Sequence, residues 1–257
     1  MAIHPTALID PRAELGDVEI GPFALVGPGV TLADGVVLEA HAVVVRDTTL
    51  GPRCRVGTQA VLGGDPQDAT GEGTRLEVGA DNVFREHVTI HRGAAARDGV
   101  TRIGDSNHFM TGAHVGHGCH IGSGCTLASS TTVSAEATVG DGAALGSLVG
   151  IHPQVRIGRL SLVGLGAMCA QDVPPFTLAQ GDRARLFGLN VTGLRQAGLA
   201  DTVSSALKTA WRTLWSGLPL RAAIARVREE QEAVDEVEEL LRFLEESRRG
   251  ICRAAHR

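Results

Sequence analysis

The stretch TGAHVGHGCH, residues 111–120, carries the side chains of this chain best suited to chemistry. His114, His117 and His120 stand three apart, with Cys119 among them and no carboxylate in the ten residues. An imidazole titrates near neutrality, so such a group can accept and return a proton, ligate a metal, or sit inert on a repetitive surface. The spacing alone does not separate these chemistries. The elements that carry the histidines must.

Those elements show themselves as a period. Aliphatic residues recur every six positions from Ile20 through Val26, Leu32, Leu38, Val44, Leu50 and Val56 to Leu62. The register breaks, resumes at Val78, Phe84 and Ile90, breaks again, and runs from Ile103 to Cys169. Of these 23 positions, 20 are Ile, Leu or Val and 13 are followed directly by Gly. Period six is neither the 3.6 of a helix nor the alternation of a hairpin strand, but it is a period of β-helix solenoids. An inward aliphatic on each flat side and a small residue at each bend give short strands wound into coils. Three such hexapeptides make one triangular coil of 18 residues in the left-handed parallel β-helix, which these repeats resemble. The handedness comes from that resemblance, since crossovers of this hand are otherwise rare.

Composition agrees with such a solenoid. Hydrophobic residues make up 43% and aromatics only 3%, with no Tyr and 33 Gly, so the core must be built from small and branched aliphatics. The net charge of −5 and the absence of a basic stripe interleaved with aromatics argue against nucleic-acid binding. The opening MAIHPTALIDPRAELGD lacks a charged segment followed by an apolar one, and no run of about 18 apolar residues predicts a transmembrane segment. The reading is cytoplasmic, and the five scattered cysteines, without CxxC pairing, read as reduced thiols.

The repeat stops at QDVPP, where consecutive prolines remove ladder donors. Residues 1–182 therefore read as the β-helix and 183–257 as a small α-helical C-terminal domain. In the latter, Asp201 is a candidate N-cap, Gly217 a C-cap and Pro219 the opening of the next helix. Leu199, Val203, Leu207, Trp211, Leu214 and Trp215 fall at helical spacing and predict core.

Eighteen residues per coil also predicts what lies above what, about 4.8 Å apart. The hexapeptides starting at Leu62, Ile90, Val115, Val133 and Ile151 form one column. In it His117 has Ala135 above and Arg92 below, while His91 and His152 take the adjacent slot of their coils. The two register breaks, excursions over 65–74 and 93–102, both leave beside that slot. Loops budding from one edge of a rigid solenoid are where such folds carry function. His114 and His120 close successive hexapeptides one corner apart, so the threefold spacing spreads the histidines around a coil. No carboxylate nearby in sequence orients them, and the residues read as metal-free.

TIHRG (89–93), AHVGH (113–117) and QDVPPFTLAQGDRARLFGLNVTGL (171–194) resemble the bacterial acyl-(acyl-carrier-protein)–UDP-N-acetylglucosamine O-acyltransferases, which begin lipid A synthesis. The resemblance covers essentially the whole chain. It implies a homotrimer with active sites between neighbouring subunits, acyl carrier protein and a UDP-sugar as partners, and no cofactor beyond the donor's acyl-phosphopantetheine. It makes His117 the general base on the glucosamine 3-OH and the Ala135 N–H the oxyanion donor. Asp68, His91, His114, His152, Asn190 and Arg195 become substrate contacts, and Leu165 limits acyl length.

The chain also departs from that pattern at the site itself. The acidic residue that follows the base is Gly118 here, a further histidine is Glu136, and a lysine of the first loop is lost around Ala69–Thr70. Thr192, Gln196 and Arg183 stand where the family has Glu, Arg and His. Glu136 lies eighteen residues after Gly118, so a carboxylate one coil up is predicted to take over orientation of His117. Three other readings share these residues: an acyltransferase for a different nucleotide sugar, a non-catalytic trimeric binding protein, and a zinc hydratase on the same fold.

Overall fold

A computed structural model describes residues 1–67, 70–95 and 98–255. Short strands, mostly of two residues, wind as a left-handed parallel β-helix in which each strand pairs with the third one after it. Among the described residues this builds three sheets of 11, 9 and 8 strands, the three faces of a prism. All 23 repeat positions lie inside, in one continuous core. Phe84 and Phe109 fill two coils with stacked rings, centroids 4.9 Å apart.

The predicted column holds residue for residue: Leu62 pairs with Ile90, Ile90 with Val115, Val115 with Val133, and Val133 with Ile151. Between faces the chain turns through left-handed backbone, often without glycine; Glu136 and Gln154, at φ +59° and +62°, stack on Gly118 at +66°. The first excursion rejoins at Arg75, as expected. The second is shorter than the sequence predicts: strand Val100–Ile103 pairs in full with Arg75–Val78, so the chain is back in the sheet at Val100.

Beyond the prolines, strands Thr177–Gln180 and Arg185–Leu189 form an antiparallel hairpin that extends the 11-stranded sheet. Among the described residues four helices follow: α1 (Val191–Gln196), α2 (Asp201–Leu214), α3 (Leu220–Glu230) and α4 (Asp235–Glu245). Asp201 is not the cap the sequence suggests. Ala200 takes that place without a side-chain bond, and Asp201 sits in the first turn, where its charge suits the helix dipole. Trp211 and Trp215 stack at 4.0 Å and pack against the prism core. The tail then returns. Ile251 bridges to Asp172 and Ala254 to Leu186. The buried Asp172 carboxylate accepts from the Arg156 N–H and the Ser247 hydroxyl, while Arg159 forms a forked pair with Glu239 on α4.

The coils stack so closely that glycines differ in kind. A Cβ on Gly27 would overlap the Val45 carbonyl oxygen of the next coil, whereas one on Gly124 meets open space and only the strain of φ +67°. Gly124→Ala is expected to cost about 1–2 kcal/mol. Gly27→Ala, which must move a backbone, should cost about 3 kcal/mol or more. Denaturant midpoints in the reverse order would contradict this stacking.

Candidate active site

His117 sits at the corner between strands His114–Val115 and His120–Ile121, with only 7% of its surface exposed. Its carbonyl accepts from the Glu136 N–H of the next coil at 2.9 Å. In that coil the Ala135 N–H donates to no acceptor among the described residues, while its carbonyl accepts from the Gln154 N–H. A donor left unspent beside a histidine is what a developing oxyanion requires. Thr101, fully buried, accepts the Gly118 N–H on its hydroxyl at 2.8 Å and so fixes the turn.

His91 and His114 stand edge to face, ring centroids 5.1 Å apart. The His114 Nδ1 lies 2.8 Å from the Thr89 hydroxyl. Burial holds the His91 pKa below its ordinary value, partly offset by a hydrogen bond with the Asp65 backbone, and the nearby charges of His117 and Arg92 push the same way as burial. Burial lowers that of His114 too, and His91 adds to the effect. Both shifts favour the uncharged imidazole, which exchanges hydrogen bonds with hydroxyl and amide groups. His152 is exposed and borders a groove of about 460 Å³ along the 9-stranded face, with Ser134, Thr132, Leu148 and Met168. His120 points elsewhere: it lies on the 8-stranded face, 3.1 Å from an Arg102 guanidinium nitrogen. Among the described residues no three His, Cys, Asp or Glu side chains are gathered as a metal site would need.

The corner residues explain a feature the sequence left open. A Cβ on Gly118 would stand 3.4 Å from the Glu136 Cγ, and Gln154, stacked next, donates to the Glu136 carboxylate at 2.9 Å. A carboxylate at 118 would therefore lie directly beneath that of Glu136, and like charges there repel. The corner holds one acid, one coil higher. Glu136 and Gln154 also line a cleft of about 690 Å³ on the 8-stranded face with His120, Arg156 and Arg249.

Cys119 is no nucleophile. Its thiol is buried, bonds to the Ser134 carbonyl at 3.0 Å, and burial pushes its pKa up to about 12.

Other expected site residues lie apart. Asn190 stands at the corner carrying Leu160, between the 8- and 11-stranded faces; its amide donates to the Leu160 carbonyl and accepts the Gly193 N–H as the cap of α1. Arg195, Thr192 and Gln196 are exposed on that helix. Leu165, 69% exposed, occupies the third corner. Asp68 and Ala69 fall outside the described residues. The sequence placed Arg92 in the column without giving it a role. Its signal was a cation in a slot the coil encloses.

Residues 101–135 match the bacterial transferase hexapeptide family, and residues 172–252 match the second domain of UDP-N-acetylglucosamine O-acyltransferase. The chain is 44% identical to the acyl-(acyl-carrier-protein)–UDP-N-acetylglucosamine O-acyltransferase of Syntrophobacter fumaroxidans, over 98% of this chain and all of that one. It is 41% identical to that of Myxococcus xanthus, over 98% and 99%. Among solved structures, the UDP-N-acetylglucosamine acyltransferases of Bacteroides fragilis and Moraxella catarrhalis each superpose with TM-score 0.95 at 34% identity, over 98% of this chain and all of theirs.

Proposed function

The chain belongs to the acyl-(acyl-carrier-protein)–UDP-N-acetylglucosamine O-acyltransferase family and is an acyltransferase; from that premise we propose how its residues carry the reaction. The acyl chain passes from acyl carrier protein to the 3-OH of UDP-N-acetylglucosamine, the first step of lipid A biosynthesis. The observation that carries this reading is the buried His117 with an unspent Ala135 N–H in the coil above it.

In the proposed step the His117 imidazole takes the 3-OH proton as the oxygen attacks the thioester carbonyl. The tetrahedral oxyanion is met by the Ala135 N–H. Collapse breaks the C–S bond, and the imidazolium returns its proton to the phosphopantetheine sulfur. His91, His114 and His152 line the approach of sugar and acyl chain, and Asp68 is assigned to the acceptor. Glu136, steadied by Gln154, stabilises the imidazolium in place of the acid absent at 118.

Placement also supports a homotrimer with shared sites. Asn190 and Arg195 lie at a different prism corner from His117, so a substrate that touches all three must sit between copies. The first four outward strand positions of the 9-stranded face, before the row reaches Thr89 and His114, are Leu8, Leu25, Val43 and Val61, apolar on a solvent side, while the 8-stranded face presents Glu14, Thr31, Glu77 and Arg102. The apolar face suits a neighbour. An anionic carrier has its own match. Every described arginine before residue 173 has a carboxylate partner, but Arg183, Arg185, Arg195, Lys208, Arg212 and Arg221 of the tail have none among the described residues. Leu165 is proposed to limit acyl length, rejecting methylenes that must overpack it.

Acyl transfer from acyl carrier protein to UDP-N-acetylglucosamine tests the reading. His117→Ala should lose roughly 10²–10⁴ in rate while staying folded; near wild-type transfer would remove His117 from the mechanism. In the same assay with a ladder of acyl lengths, Leu165→Gly should move the optimum longer. Glu136→Gln should lower kcat and, because a neutral neighbour no longer favours the imidazolium, move the acidic limb of the kcat profile to lower pH. An unchanged profile would separate Glu136 from the base.

A further inference from the structure

Below His117, Arg92 is the largest fully buried side chain among the described residues, 1% exposed, and its charge is answered from outside. Its Nη1 donates to the Gly63 carbonyl at 2.6 Å, where the first excursion begins. Its Nη2 bonds to the Asp65 carboxylate and reaches the Gly71 carbonyl at 3.5 Å, on the far limb of the same excursion. Asp65 itself is 74% exposed at the side chain. The asymmetry matters. If the loop swung away, Asp65 would recover its hydration, but the guanidinium would stay buried without its counter-charge, a state far costlier than the pair. The loop is therefore held by the burial of its partner, and only a planar fork spans acceptors on both limbs.

Two further bonds stitch the loop to its neighbour. The Ala95 N–H donates to the Thr70 carbonyl at 3.3 Å, and the Gly93 N–H to the Arg75 carbonyl at 3.2 Å. Asp65 also adjoins the His91 ring: its neighbour Gly64 pairs with His91 in the sheet, and a Cβ on Gly64 would stand 3.8 Å from the His91 Nε2, while the buried Nδ1 has no partner among the described residues. With one nitrogen unsatisfied, the ring has little else to hold it beyond its edge contact with His114.

We propose that the Arg92–Asp65 pair is a positioning device: by pinning Asp65 it fixes the His91 ring and the loop edge beside the His117 corner, and so sets affinity for the acceptor. Arg92 is a positioning residue, since His91 and the loop stand between it and any substrate. The proposal rests on the assignment of His91 to the acceptor given above.

Arg92→Lys keeps the charge and loses the fork. Asp65→Asn removes the counter-charge at an exposed position and leaves the coil interior untouched, so it keeps the question open to test if the first variant folds poorly. Each is expected to raise the acceptor KM about 3- to 30-fold with kcat within about twofold, speed amide exchange over residues 70–75, and broaden or shift the His91 ring signals in NMR. Combined, the two should lose little more than either alone, because they cut one interaction. Wild-type KM, or wild-type exchange and His91 signals, in Asp65→Asn would overturn the proposal. An equal fall in kcat with KM unchanged would overturn it too. Should the wild-type protein transfer no acyl group to this acceptor, the proposed function fails; the exchange and ring signals, taken without substrate, still decide whether the pair holds His91.

Discussion

Everything in this protein depends on backbone stacking at a repeat of eighteen residues. Each strand is too short to persist alone, and each takes its hydrogen bonds from the coils above and below, so the ladder is continuous or it is nothing. Close stacking admits only small groups at some turns and left-handed backbone at others, which is why a residue's height and corner are set by its number. The backbone position of a residue on such a scaffold cannot drift. Residues far apart in sequence therefore meet with fixed geometry, as His91 and His114 do across the second excursion.

That rigidity also explains how the site tolerates change. Gly118 and Glu136 occupy successive storeys of one corner, and the chain places its carboxylate on the upper one, where Gln154 holds it. The role proposed for Glu136 uses that shift of one coil, which has meaning only on a fold with vertical register. The lowered pKa values of His91 and His114 are products of the same packing, since burial is the first cause of each.

The fold and the column were legible because periodicity is a property of sequence. Ile90, Val115 and Val133 could be stacked by counting, and His117 fell into place with them. What counting could not give were contacts made by side chains that leave their slot. Asn82 and Asn107, both buried in the slot two residues before Phe84 and Phe109, link turns by donating to the Gly104 carbonyl and accepting the Cys125 N–H; the period gives the slot but not these bonds. Asp172 reads as the end of a repeat, yet its buried carboxylate ties down Ser247 from the far end of the chain. The fork of Arg92 was likewise hidden, because its partners lie in a loop with no period. Helix capping failed at Asp201 for a local reason: Ala200 precedes it in extended backbone, so the acid enters the first turn.

The central claim is that a buried histidine and a free N–H one coil above it form a single acyl-transfer centre. It is tested most directly by a crystal structure of the protein with UDP-N-acetylglucosamine and a non-hydrolysable acyl-phosphopantetheine. The account predicts the sugar 3-OH within about 3 Å of the His117 ring, and the acyl carbonyl oxygen within about 3 Å of the Ala135 N–H. A sugar bound with its 3-OH turned away from His117, or a thioester lodged at another corner of the prism, would contradict it.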